Sequence, residues 1–451
     1  MKRKLAILLF IFSIILICTP STVYAKAYEN EGSLSSENII VYNVDLGLSV
    51  YRKNHREKVS PGSSVKIMTA ILALEHFENR LDTVVTVPAA ALRGLQGGAV
   101  LNLKENEEIS VLDLIHATLI AGMNDAANTL ALSICANMKD FVDLMNAKAK
   151  DLGAFDTFYA NATGLASAAY TTAYDTARIA AYAYENSLFM EICSKRTHTV
   201  SATNLHPAVT IYTRNSFLTP QSDYYYRYAE GISTSYSNED GAQLVCAASH
   251  GNYAYVCVAF GAKKNSGGTI GGYSDVKNLL SWSSGNFAEK KVLDHTQIIC
   301  ELPVRGGKDV AHVLVVPYKS VYAFLDKDTD LSKITVSEQL DYEKLDAPVQ
   351  KGECVGSLTV ILDGVPIGTT PLIAKSNVRR SLKGSILLGL EKTVTNPFFI
   401  VITIISLTAL GVWIYINVKR KKKIFDFKNS FIGRYFLKKF EKIKNLLQKF
   451  I

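Results

Sequence analysis

One stretch of this chain restricts its fold more than any other: residues 397–418 run 22 positions without a charged side chain. At ~1.5 Å of rise per residue, about 20 apolar residues cross the hydrocarbon core of a bilayer. Lys419-Arg420-Lys421-Lys422-Lys423 follows at once, and such basic clusters stay on the cytoplasmic side of a membrane. The segment reads as a single transmembrane helix in the cell membrane, with residues 26–396 outside the cytoplasm and 419–451 inside. The other end agrees. Lys2-Arg3-Lys4, an apolar run over 5–17 and Val23-Tyr24-Ala25 make the three parts of a secretory signal over 1–25, so the mature chain is expected to begin at Lys26.

The charge distribution supports the same partition. The chain carries a formal +8, but the first four residues hold three cations, and residues 419–451 hold twelve against Asp426 and Glu441. The rest is left with −5, so no basic face for nucleic acid is expected in the body of the protein. In the tail, Ile432, Phe436, Phe440, Ile443, Leu447 and Phe450 recur at steps of three and four, with lysines around them. That is the pattern of a basic amphipathic helix, which lies on an anionic leaflet.

Six cysteines remain once Cys18 leaves with the signal. There is no CxxC, HExxH or Cys/His cluster, so neither a metal nor another cofactor is expected. Cys246 and Cys257 flank a turn and Cys300 and Cys354 share a later segment; export permits a disulfide in either pair, and buried thiols serve equally well.

Between the ends the pattern is strands, then helices, then strands. Short apolar runs over 35–60 read as a hairpin, Ser63 to Asn79 as a helix, and Ser110 as the cap of a further helical region broken near Gly122. Residues 170–185 form another helix. Strands return over 243–249 and 253–260, and 275–282 closes as a helix. This is an α+β unit over 35–285, an antiparallel sheet with helices on its faces. Residues 291–374 read as a small β-sandwich, and 375–396 as a linker to the membrane.

The chemistry starts at Pro61-Gly62-Ser63-Ser64-Val65-Lys66. Ser63 and Lys66 stand one helical turn apart, and a lysine beside a serine hydroxyl acts as its base when its pKa is lowered. The helix N-terminus adds donors for an oxyanion. Ser274-Asp275-Val276-Lys277 repeats the spacing by chance, with a lysine read as solvated. None of the eight histidines has a GxSxG nucleophile elbow to serve. Around Ser63, further motifs come in order: Asn124-Asp125-Ala126-Ala127, Asn161-Ala162-Thr163-Gly164-Leu165, Ala173-Tyr174-Asp175-Thr176-Ala177, Asn215-Ser216-Phe217-Leu218 and Glu230-Gly231-Ile232. Together they resemble the low-molecular-weight penicillin-binding proteins, the serine-type D-alanyl-D-alanine carboxypeptidases of peptidase family S11. The resemblance covers residues 35–282 and continues more loosely through the β domain.

The resemblance implies a fold, a β-lactamase/transpeptidase-like domain, and a reaction. Ser63 attacks the carbonyl between two terminal D-alanines of a peptidoglycan stem peptide, Lys66 takes its proton, and water hydrolyses the acyl-enzyme. The N–H groups of Ser63 and Tyr236 form the oxyanion hole, and β-lactams trap Ser63. The sequence also departs from the family pattern. Where the family has Ser-x-Asn, this chain has Gly122-Met123-Asn124, which keeps the asparagine and loses the hydroxyl. Where it has Lys-Thr-Gly, this chain has Ser233-Thr234-Ser235 before Tyr236. The arginine often found before the closing helix is matched by Gly272, and Arg214 and Arg227 are the candidates for a replacement cation. Three readings follow: an active carboxypeptidase, a degenerate relative that binds cell-wall peptides, and a hydrolase of the same fold whose substrate lacks a free carboxylate.

Overall fold

Apolar residues occupy both pleat faces of the central strands, so both sides of the sheet must be covered. In β1 (Asn38–Asn43), β8 (Gly241–His250) and β9 (Tyr253–Ala262) nearly every side chain is buried. The computed structural model describes residues 31–165, 168–429 and 431–447; the signal expected over 1–25 lies outside the described residues. With β2 (Leu48–Lys53) and β7 (Ala229–Ser237), these strands form a five-stranded antiparallel sheet in the order β2-β1-β9-β8-β7. The hairpin read over 35–60 is β1–β2.

Two cores follow from the two faces. Ile40, Val245, Val258 and Phe260 pack against a helical layer: α1 (Val65–His76), α2 (Val111–Ile120), α3 (Asn124–Ile134), α4 (Met138–Asp151), α5 (Ala173–Tyr184) and α6 (Ser187–Ser194). Ile39, Val41, Leu244 and Ala259 point the other way, onto Val276, Leu279 and Leu280 of α7 (Gly271–Asn286). The capping serine was legible: Ser110 Oγ accepts from Asp113 N at 3.1 Å. Two small hairpins, β3 (Val84–Thr86) with β4 (Glu108–Ser110) and β5 (Thr197–Val200) with β6 (Val209–Tyr212), edge the helical layer.

Contacts divide the described chain into two units. The first runs to Asp294 and takes in Ser320–Ser337 and Thr359–Thr369. It includes an antiparallel pair, β10 (Phe287–Leu293) with β13 (Val321–Asp326), and Phe287 stacks on Phe324. In the second unit β11 (Cys300–Arg305) pairs antiparallel with β12 (His312–Pro317) and parallel with β15 (Leu345–Asp346). β12 continues antiparallel onto the end of β17 (Val365–Ala374). The other strands of this C-terminal β region are β14 (Ile334–Leu340) and β16 (Cys354–Leu362).

Helix occupies most of the segment read as a linker. Ser381 caps α8 (Leu382–Val394), accepting from Gly384 N at 2.9 Å. One side of α8 holds the β domain: Leu388 is buried beside Gly306, and Glu391 receives two hydrogen bonds from Arg305 Nη1 at 2.9 and 3.0 Å. Arg305 also binds Asp346. Leu382, Ile386, Leu387 and Leu390 of the same helix are exposed. Then α9 (Pro397–Asn429) contains the apolar run, with Pro397–Arg420 long and apolar enough to cross a membrane and none of that span buried. The tail forms α10 (Phe431–Leu447); Phe450 lies outside the described residues.

Candidate active site

Three walls surround the turn that carries Ser63. Gly62–Ser64 is a 3-10 turn running directly into α1, so Ser63 precedes the α-helix proper and Lys66 sits in its first turn. Ser63 is half-buried. Its neighbour Ser64 is buried and donates to Pro61 O at 2.6 Å, which stabilises the turn. The chain enters along Val59, bridged to Thr171.

Lys66 is 4% exposed. Its Nζ donates to Thr163 O at 2.8 Å; among the described residues no hydrogen bond joins it to Ser63 and no carboxylate pairs with it. Burial, and secondarily the nearby Arg214 guanidinium, push its pKa down from 10.5 to about 7. An amine so placed is close to half neutral at pH 7, and it can accept a proton.

The loop over 161–165 forms the first wall. Asn161 Oδ1 accepts from Thr163 N and Gly164 N, and its Nδ2 donates to Leu165 O. Thr69 Oγ1 of α1 donates to Ala162 O at 2.8 Å, so two side chains of one helix face bind this loop. Gly164 has φ +79°, and a Cβ there would stand 1.8 Å from Gly62 O. The motif is thus a close backbone contact on the turn that carries Ser63, which only glycine permits.

The second wall is the N-terminus of α3. Asn124 is buried; its backbone N and Nδ2 both donate to Ala99 O, and Oδ1 has no partner among the described residues. Asp125 accepts from Leu101 N at 2.9 Å and Leu103 N at 3.0 Å, which straps the preceding loop to the helix. A Cβ on Gly98 would meet both Asn124 Nδ2 and Leu165, so this wall adjoins the first. Gly122 has φ +69° and open space where its Cβ would be.

The third wall is the edge strand β7. Ser233, Thr234, Ser235 and Tyr236 pair with Val245, Leu244, Gln243 and Ala242 of β8. Ser235 Oγ donates to Gln243 Oε1 at 2.8 Å, while the buried Gln243 Nε2 has no partner among the described residues. A Cβ on Gly62 would lie 2.6 Å from Gln243 Oε1, so Gln243 presses on the turn that carries Ser63. Sequence reading missed Gln243 and the Thr163 carbonyl; both need the fold to bring them in. Thr234 Oγ1 donates to Arg214 O at 3.4 Å, and Lys264 lies 4.5 Å over the Tyr236 ring.

The candidate cations separate clearly. Arg214 is exposed and close enough to act on Lys66, whereas Arg227 sits 4.6 Å over the Tyr228 ring. Gly272, the second residue of α7, lies against Ala262 Cβ, Ser36 Oγ and Leu244, so this position is packed and has no room for a long side chain. Lys277, read as solvated, is half-buried and donates to Tyr225 O at 3.2 Å. Cys246 and Cys257 face each other across β8–β9 as buried free thiols, and Cys300 and Cys354 are free as well.

Comparison with known proteins gives this geometry a family. Residues 24–264 match the peptidase S11 family model, described as D-alanyl-D-alanine carboxypeptidase, and 287–380 match that of the penicillin-binding protein 5 C-terminal domain. D-alanyl-D-alanine carboxypeptidase DacF of Bacillus subtilis (strain 168) is 27% identical over 395 residues, covering 84% of this chain and 96% of that protein. DacC of Escherichia coli (strain K12) is 26% identical over 367 residues, covering 80% and 88%. The crystal structure of the carboxypeptidase DacD from Francisella tularensis superposes with a TM-score of 0.63 at 21% identity, covering 77% of this chain and 94% of that one. Penicillin-binding protein 5 from Haemophilus influenzae gives 0.59 at 23%, covering 79% and 100%. At those identities the two structures establish the fold: an α+β penicillin-binding domain followed by a C-terminal β domain. With more than half of its length matched by the first family model, the chain belongs to the S11 family of serine-type D-alanyl-D-alanine carboxypeptidases.

Proposed function

We propose that this protein removes the terminal D-alanine from peptidoglycan stem peptides through an acyl-enzyme on Ser63, with a turnover lowered by its altered motifs. Ser63 Oγ attacks the carbonyl carbon between the two D-alanines while the neutral Lys66 amine takes its proton. The N–H groups of Ser63 and Tyr236 receive the oxyanion. The carbon–nitrogen bond then breaks, D-alanine leaves with a proton on its amine, and water hydrolyses the ester. Asn124 offers its unpartnered Oδ1 to the bound peptide, and Thr234, Ser235 and Tyr236 line its strand. The observation that carries this reading is Lys66: a buried amine with no anionic partner among the described residues, one turn after a half-buried serine. β-Lactams acylate the same oxygen. The exported units stand outside the membrane that residues 397–418 span once, and the tail stands inside.

Two losses slow the reaction. A charge-assisted hydrogen bond is worth about 1.5–3 kcal/mol, or roughly ten- to a hundredfold, and Ser233 cannot supply the family lysine's. General acid–base help is worth about 10²–10⁴-fold, and Gly122 has no hydroxyl to relay a proton to the leaving amine. Arg214, exposed at the mouth near Lys66, stands in as the cation for a terminal carboxylate. The test pairs fluorescent-penicillin labelling with an assay of free D-alanine. Labelling lost in Ser63→Ala, with slow D-alanine release by the parent, is the expected result. Labelling that persists in Ser63→Ala overturns the assignment. An unlabelled parent that releases no D-alanine supports the second reading, a cell-wall peptide binder, for which Gly122 and Ser233 speak.

A further inference from the structure

We propose that Gln243 is a positioning residue for the acylation of Ser63: its buried amide sets the spacing of the two N–H groups that receive the oxyanion. The inference rests on the reading of Ser63 as the nucleophile. Side chains alternate along β8, so Gln243, Val245 and Ala247 share a face. Val245 and Ala247 belong to the core beneath the helical layer. Gln243 ends that row, 3% exposed, as an amide in an otherwise apolar stretch. Its Nε2 has no partner among the described residues. Burying an amide that is only half used costs free energy, so packing alone does not call for glutamine here. The neighbouring strand is also shaped at this position. Ala242 pairs with Ala262 and Gln243 with Phe260, which leaves Gly261 of β9 as an extra residue at φ +89°. Such a bulge bends the strand and re-aims the side chains beside it.

Two contacts decide what Gln243 holds. On one side its Oε1 accepts the Ser235 hydroxyl, and Ser235 immediately precedes Tyr236. On the other, a Cβ on Gly62 would stand 2.8 Å from Gln243 Cδ and 3.3 Å from Cγ, so the end of the side chain lies along Gly62, which immediately precedes Ser63. The planar peptide group between Gly62 and Ser63 carries Gly62 O and the Ser63 N–H together. Gly164 closes on that oxygen while Gln243 backs the Gly62 Cα. One side chain thus touches the residue before each donor. Among the described residues no backbone hydrogen bond joins the Gly62–Ser64 turn to β7, so side chains must set their spacing. Because the amide is neutral, removing it leaves the charge around Lys66 unchanged.

Timed labelling of the full-length protein with fluorescent penicillin, over a range of concentrations, separates the limiting acylation rate from the half-saturating concentration. Gln243→Ala, which vacates the space beside Gly62, is expected to lower the limiting rate at least about tenfold. Half-saturation, the fraction of protein finally labelled and the rise of labelling through about pH 7 should all stay as in the parent. Gln243→Met keeps the bulk along Gly62 and gives up only the bond to Ser235, so it should lose about threefold. Ser235→Ala should lose as much, and Gln243→Met with Ser235→Ala no more than either, since all three remove the same hydrogen bond. A Gln243→Ala protein acylated at the parent's limiting rate overturns the proposal. So does a loss confined to half-saturation or to the labelled fraction, which would mark a role in binding or in folding alone. If Gln243→Ala does not fold, additive losses in the Met and Ala pair overturn it as well. A parent that penicillin leaves unlabelled refutes the Ser63 reading itself, and this inference falls with it.

Discussion

Replacing Lys66 by methionine should stabilise the protein at neutral pH while silencing it, and the sign should reverse in alkali. In the folded protein the ammonium is pushed from 10.5 to about 7, first by burial and then by Arg214. The unfolded chain therefore binds more protons than the folded one between those values, and wild-type stability rises with pH across that window. At ~1.4 kcal/mol per decade, the buried amine costs on the order of 5 kcal/mol at pH 7 and nothing above about 10.5. Methionine fills a similar volume without that cost. It also leaves the buried Thr163 carbonyl without its 2.8 Å donor, a loss of about 1–3 kcal/mol. The balance is a variant more stable by ~2–4 kcal/mol at pH 7 and less stable by ~1–3 kcal/mol at the alkaline end. Urea titrations of the full-length protein in detergent, followed by tryptophan fluorescence and repeated across pH, measure both limbs. Penicillin labelling of wild type should rise through pH 7 as the amine becomes neutral, and Lys66→Met should show none. A variant destabilised at pH 7, or wild-type labelling that is flat with pH, would refute a base of lowered pKa.

Two further perturbations address the walls of the site. Gly164→Ala sets a methyl 1.8 Å from Gly62 O at a left-handed φ. It should cost about 3 kcal/mol or more and slow acylation of Ser63 together, read by urea melts and penicillin labelling. Unchanged labelling would separate the 161–165 loop from the nucleophile turn. Gly122→Ser with Ser233→Lys should raise D-alanine release at least about tenfold, or roughly 1.4 kcal/mol. The serine meets open space, but its backbone at φ +69° costs ~1–2 kcal/mol, so this faster enzyme should melt earlier than its parent. No gain in release would mean that Arg214 already compensates.

What the sequence could reveal was local. Ser63 and Lys66 stand one turn apart because the 3-10 turn runs straight into the helix, and Ser110 announces a helix because its hydroxyl reaches a donor three residues on. The five-stranded sheet was visible in outline because buried strands demand continuous apolar runs. The partners of the site were hidden because each depends on the tertiary fold. The acceptor for Lys66 is a backbone carbonyl 97 positions away, and backbone atoms leave no mark in sequence. Gln243 matters only through its register opposite Ser235. The position matched to a family arginine is Gly272, held small by Ala262 behind it, a demand of packing rather than of binding. The helix over 382–394 lies in the stretch read as a linker, and what holds it, Gly306 against Leu388 and Arg305 on Glu391, comes only from the tertiary fold.

That helix changes the mechanics of anchoring. A flexible tether of 22 residues would let its cargo wander over roughly 25 Å. Here Leu388 and the Arg305–Glu391 pair fasten α8 to β11, and only Thr395 and Asn396 separate α8 from α9. Asn396 stiffens even that joint, accepting from Phe398 N on its side chain and from Ile400 N on its backbone. The β domain is thus mounted on a bracket rather than hung from a string. Torque applied to the span reaches the end of β11 through the Leu388 contact at Gly306, the Arg305–Glu391 ion pair and the hydrogen bonds from Ser381 to Gly306 O. The β domain should sweep a narrow arc at a set height above the lipid instead of exploring a hemisphere.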